Sequence, residues 1–115
     1  ETHLAVSRVL YPALDGDPGH AIWKRDFTGA SGLLGVVLKP AAKGALAAFF
    51  DGLKLYGMGY SWGGYESLIV PAHIHRTARK FEADGPVIRI HAGLEDSGDL
   101  IADLNAGLSR YIDAK

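Results

Sequence analysis

Val87-Ile88-Arg89-Ile90-His91-Ala92, followed by the run from Asp96 to Ile112, decides the fold. The first part reads as a strand. Successive strand side chains point to opposite faces, so Val87, Arg89 and His91 share one face and Ile88, Ile90 and Ala92 the other. The second part reads as a helix. Asp96 is a capping residue with Asp99 three positions on, an acidic version of the capping-box spacing. Leu100, Ile101, Leu104, Leu108, Tyr111 and Ile112 then recur at helical spacing. If the apolar face of the strand meets helices, Arg89 points toward solvent or a cleft.

Working outward, the other elements follow the same grammar. Leu33-Leu34-Gly35-Val36-Val37-Leu38 is apolar without alternation, as in a central strand buried on both faces. Pro40 suits the first position of a helix whose stripe is Ala42, Leu46, Phe49, Phe50 and Leu53, stopped by Gly52. Val6–Tyr11 is a short strand closed by Pro12, and Ser67–Val70 another ending at Pro71. His20–Phe27 forms a short helix using Ile22, Trp23 and Phe27 as contacts, and the polar stretch His73–Phe81 reads as helical. Turns fall at Asp15–Gly19, Thr28–Gly32 and Gly85-Pro86. The fold class is α/β: a two-layer sandwich, a small sheet with helices packed on one face.

Composition narrows the function classes. At 115 residues and 48% hydrophobic content, this is one domain with a real core. Twelve basic against 13 acidic residues leave a net charge of -1, which argues against nucleic acid as partner. Cysteine is absent, which excludes a disulfide scaffold, a thiolate zinc site and a cysteine nucleophile, and fits a reducing compartment. No apolar run is long enough to span a bilayer, and no signal-peptide pattern opens the chain. The start, Glu1-Thr2-His3-Leu4, lacks Met and fits a processed protein or a piece of a longer one equally.

The chemistry-bearing stretch is Gly57-Met58-Gly59-Tyr60-Ser61-Trp62-Gly63-Gly64-Tyr65-Glu66-Ser67, with four glycines in eleven residues. Such a backbone turns sharply and lets a ligand come close. Ser61 and neighbouring N–H groups can hold a carboxylate oxygen, and Trp62 can wall an apolar pocket. The same pattern also fits a structural loop closed by a buried tryptophan. Arg89 offers a planar fork of donors for a carboxylate, or is an ordinary charge on an open sheet face. Together they read as a pocket for a small acid. Gly59-Tyr60-Ser61-Trp62-Gly63 matches the bare GxSxG pattern, but no strand-to-helix elbow surrounds it, so a serine hydrolase is not favoured. His73, His75 and His91 lack the spacing of a metal set. Glu95 is a loose acid–base candidate, Asp96 and Asp99 are explained by capping, and Glu66 is placed to pin the loop.

Phe50 through Leu68 closely resembles the C-terminal part of the bacterial cystathionine β-lyases, and so does Pro86-Val87-Ile88-Arg89-Ile90-His91-Ala92-Gly93-Leu94-Glu95-Asp96, continuing through Asp99 to Leu104. Tyr11–Leu14 and Pro18–Phe27 share the likeness. These enzymes sit within the cysteine/methionine-metabolism family of fold-type I pyridoxal-phosphate enzymes, many of whose members have Leu where this chain has Trp62. The resemblance implies that Arg89 clamps the α-carboxylate of a small sulfur amino acid, that Ser61 and Trp62 line that subsite, and that Tyr60 flanks it. It implies a cytoplasmic, homotetrameric carbon–sulfur lyase that converts L-cystathionine to homocysteine, pyruvate and ammonia. A sister activity, such as a γ-lyase, γ-synthase or methionine γ-lyase, would share the arginine.

The departure is as large as the match. Family members are much longer, with a large domain that carries the Schiff-base lysine and the rest of the cofactor site. Lys24, Lys39, Lys43, Lys54, Lys80 and Lys115 do not sit in that lysine motif. Residues 1–115 therefore read as a small C-terminal domain from a longer enzyme, with no catalytic, cofactor-binding or metal-ligating residue of its own. Alone, it is expected to be inactive, an inert structural or assembly module.

Overall fold

A computed structural model describes residues 1–114; Lys115 lies outside the described residues. The elements are β1 (Val6–Leu10), α1 (His20–Asp26), β2 (Leu33–Leu38), α2 (Ala45–Asp51), β3 (Gly57–Met58), β4 (Leu68–Ala72), β5 (Val87–His91) and α3 (Ser97–Asp113). Five strands form one sheet in the order β1-β2-β5-β4-β3. All neighbours are antiparallel except the β3–β4 pair.

The alternation in β5 sorts its side chains as its sequence dictates. Ile88 and Ile90 are 1% and 4% exposed and join Phe49 from α2 and Leu100, Leu108 and Tyr111 from α3 in the core. Val36, Leu38 and Ile69 extend that layer across the sheet. The helices α2 and α3 thus cover one face, which is the two-layer α/β arrangement. Asp96 caps α3, its carboxylate accepting the Asp99 N–H at 3.1 Å. Arg110 of α3 donates to the Ala48 and Phe49 carbonyls, tying the two helices. Tyr111 ties α3 to the chain just past β2 with a 2.6 Å bond from its hydroxyl to the Lys39 carbonyl.

Several expectations need correction. The middle strand is β5, with β2 beside it, although Val36, Val37 and Leu38 of β2 are indeed buried on both faces. Helix α2 begins at Ala45 after Gly44, so Pro40 and Ala42 precede it, with a turn at Lys43-Gly44 between Ala42 and the helix. Helix α1 forms but buries nothing: Ile22 and Phe27 are exposed, and Trp23 instead stacks on His20. Residues 73–81 form no helix. They have no apolar stripe to bury, and Phe81 is held between surface cations, with Arg8 and Arg76 over its ring. Pro71 does not end β4, which runs on to Ala72. β3 pairs only with Leu68 and Ile69, so the outer edge of β4 is open at Pro71 and a missing N–H costs no ladder bond there.

β3 positions the site. A parallel neighbour can be reached only if the chain is carried back past the sheet. Because β3 is two residues long, a short return suffices. That return is the glycine-rich stretch 59–67. It crosses the face opposite the helices, where Arg89 and His91 point.

Candidate functional site

Arg89 meets the returning loop from below. Its Nη2 donates to the Tyr60 carbonyl at 2.6 Å and more weakly to the Ser61 carbonyl at 3.4 Å. The side chain is half-buried, and among the described residues no carboxylate lies within ion-pair distance of it. Those two bonds use one nitrogen of the guanidinium, and among the described residues its other N–H groups have no protein acceptor. A half-buried cation with free, coplanar donors is chemically a receptor for an oxyanion.

Tyr60, Ser61 and Trp62 lie on the loop directly over Arg89. The structure brings their backbone and the arginine together, but not as a closed pocket. Tyr60 is 78% and Trp62 63% exposed, so a loop closed by a buried tryptophan is not what forms. Among the described residues, the N–H groups of Tyr60, Ser61 and Trp62 are bonded to no protein acceptor. Ser61 follows a two-residue strand and leads toward β4, not into a helix, so the GxSxG resemblance ends at the pattern.

The loop is fastened at its other end by His91 and Glu95. His91 is 7% exposed and bridges the loop: the Gly63 N–H donates to its Nδ1 at 3.4 Å, and its Nε2 lies 3.0 Å from the Gly64 carbonyl. Gly63 has φ +85°, a conformation that side chains with a Cβ rarely adopt. The signal that could have found His91 is its place two residues after Arg89 on the same strand face.

The residue that pins the loop exit is Glu95, whereas Glu66 is exposed. The Glu95 carboxylate accepts the Ser67 N–H at 3.0 Å and also the Ser67 hydroxyl, while the Ser67 Oγ accepts the Gly93 N–H at 2.8 Å. The Ser67 hydroxyl bond, and then the Ser67 N–H, hold the Glu95 carboxyl below the usual range. Gly93 is required by proximity: a Cβ there would sit 2.2 Å from the Tyr65 carbonyl oxygen. His73 and His75 are exposed, and no metal-binding cluster of acidic or imidazole side chains occurs among the described residues.

Pyridoxal phosphate does not fit these residues by themselves. Lys24, Lys39, Lys43, Lys54 and Lys80 are all exposed. A lysine that links covalently to a carbonyl needs a desolvated setting to lower its pKa. No described lysine has one. Among the described residues, no helix is long and apolar enough to cross a membrane.

Residues 1–109 match the family described as "Cys/Met metabolism PLP-dependent enzyme". A cystathionine beta-lyase of Escherichia coli (strain K12) is 52% identical over 96% of this chain, which spans 29% of that relative. An L-alanine/L-glutamate racemase of Wolbachia pipientis wMel is 43% identical over 96% of the chain and 28% of its own length. A solved cystathionine gamma synthase from Xanthomonas oryzae pv. oryzae superposes with a TM-score of 0.80 at 36% identity, covering 96% of this chain and 30% of that one. The chain thus spans less than a third of the length of these relatives.

Proposed function

This chain belongs to the Cys/Met metabolism PLP-dependent enzyme family, and from that premise we propose that it is the part of a carbon–sulfur lyase that holds the substrate α-carboxylate. The observation that carries the reading is Arg89, half-buried, unpaired with any described carboxylate and braced by the Tyr60 and Ser61 carbonyls. A carboxylate arriving from the solvent side meets the free edge of the fork. Ser61 and Trp62 supply nearby N–H donors and an apolar wall, and Tyr60 flanks them. The family's pyridoxal phosphate supplies an electron sink at the α-carbon, and it is held by a larger domain outside this chain. This chain's own contribution is orientation: fixing the carboxylate fixes which α-bond faces the reacting groups.

The proposed substrate is L-cystathionine, with one water consumed and homocysteine, pyruvate and ammonia released. High identity to a cystathionine beta-lyase supports that choice. The superposition on a cystathionine gamma synthase supports a sister activity with the same carboxylate clamp as the second reading. The missing domain and the other subunits of a homotetramer are the proposed cover for Met58, Trp62, Tyr65 and Leu94, all more than 60% exposed.

Pyruvate release by the full-length protein with pyridoxal phosphate tests the reading, with L-cystathionine compared against methionine and an activated homoserine. Losing a charged hydrogen-bonding fork costs about 1.5–3 kcal/mol, so Arg89→Ala should lower kcat/KM roughly 10- to 100-fold. An unchanged kcat/KM would remove Arg89 from the site. Preferential turnover of methionine or the homoserine derivative would favour the second reading.

A further inference from the structure

We propose that His91 is a positioning residue whose neutral imidazole latches the loop at Gly63 and Gly64 and thereby aims Arg89. The inference rests on the carboxylate reading of Arg89 given above.

The latch follows from donor–acceptor arithmetic. An amide N–H can only donate, so Nδ1 of His91, which receives the Gly63 N–H, carries no proton. The ring proton is therefore on Nε2, which donates to the Gly64 carbonyl at 3.0 Å. The neutral ring offers one acceptor and one donor, and the loop offers their complements on successive residues. The left-handed Gly63 is what lets the backbone present both groups to one ring. With both nitrogens committed, the ring is not poised as a proton donor or acceptor for substrate.

The base of the latch is rigid. β5 is the middle strand, and His91 pairs with Leu33 on one side and Leu68 on the other. Among the described residues, Arg89 and His91 are the side chains that hydrogen-bond the stretch 60–64. Arg89 takes the Tyr60 and Ser61 carbonyls at one end and His91 takes Gly63 and Gly64 at the other. If His91 lets go, those carbonyls lose their fixed position, and the arginine loses the brace that aims its free edge.

The test uses the full-length holoenzyme with three variants, reading steady-state kinetics and hydrogen exchange of the peptide spanning residues 57–67. His91→Ala should speed exchange in that peptide, with exchange across β2, β4 and β5 unchanged. It should lower kcat/KM about tenfold through the loss of two hydrogen bonds, with KM carrying most of the change. His91→Gln, which keeps one donor and one acceptor on a single amide group, should restore much of both. Wild-type exchange and KM in His91→Ala would overturn the latch. Faster exchange throughout the sheet, with no rescue by Gln, would also overturn it and leave His91 a core residue only. Arg89→Ala separates the two claims. If it leaves kcat/KM unchanged, the carboxylate reading fails. If it lowers kcat/KM while His91→Ala does not, the positioning role alone fails.

Discussion

On the helix side of β5, Ile88 and Ile90 are sealed among Phe49, Leu100, Leu108 and Tyr111. On the loop side, Arg89 and His91 touch a segment whose Tyr60, Trp62 and Tyr65 are mostly exposed. One face is held by buried area, which has no direction and tolerates small shifts. The other is held by hydrogen bonds, which contribute little each but specify where atoms sit. A single strand thus separates stability from aim. Damage on the helix side should unfold the domain, whereas damage on the loop side should leave it folded and mis-set.

The sharpest way to break that contrast is at Phe49, which is fully buried. Phe49→Ala should cost about 3–5 kcal/mol in chemical denaturation, and a loss under about 1 kcal/mol would mean that the helix layer is not what holds the sheet. Next comes Tyr56, a buried phenol whose pKa is pushed up to about 12, first by burial and then by the Asp103 and Glu95 charges. An unfolded tyrosine ionises near its ordinary value of 10, whereas the folded one stays neutral, so stability is intact below pH 10 and falls as pH rises toward 12. Unfolding midpoints of Tyr56→Phe should decline less steeply across that window. An identical decline would assign the alkaline limb elsewhere.

Smaller effects are expected on the loop side. A Cβ at Gly63 or at Gly64 would meet nothing within 4 Å, but only Gly63 has a positive φ. Gly63→Ala should therefore cost about 1 kcal/mol from backbone strain alone, and Gly64→Ala close to nothing. Equal costs would show that the loop does not keep its left-handed turn. The smallest effect is the acid limb. Glu95 is held below the usual carboxylate range by Ser67, so its contribution is present above that range and is lost as pH falls through its lowered value. Glu95→Gln should flatten the acid side of a pH–stability curve and alter the alkaline side less, because the Glu95 charge is the last of the three causes that raise the Tyr56 pKa.

The helix side was far more legible in the sequence than the loop side, for a physical reason. Period two in Val87–His91 and helical spacing from Leu100 to Tyr111 are local patterns, and burial enforces them. The Asp96 cap is local too. Arg89 was placed on the outer face by alternation alone. β3 has two residues, too few to show a period, and exists only because β4 is beside it. The stretch 73–81 was read as a helix from its polarity, but without an apolar stripe nothing anchors one. Glu66 looked like the loop's pin because it is adjacent in sequence. Glu95 does that work from 28 residues away, a contact no local pattern encodes. In the sequence His91 reads as a stray metal candidate and not as a latch, because its partners are backbone atoms of glycines, which leave no mark in composition.

β5 is the last strand made and the middle strand of the sheet. A ribosome adding roughly 5–20 residues per second needs roughly 3–10 s to go from the end of β2 to the start of β5. Through that interval β2 presents an unpaired edge, and β4, once residues 68–72 are made, presents a second with no strand between the two. The nascent domain is therefore most exposed to aggregation and to chaperone capture before residue 87 arrives, and a slow codon in that interval would lengthen the hazard. Because β5 carries both Ile88 and Arg89, the step that ends the hazard is also the step that creates the surface presenting the Arg89 guanidinium. A partly made chain has neither.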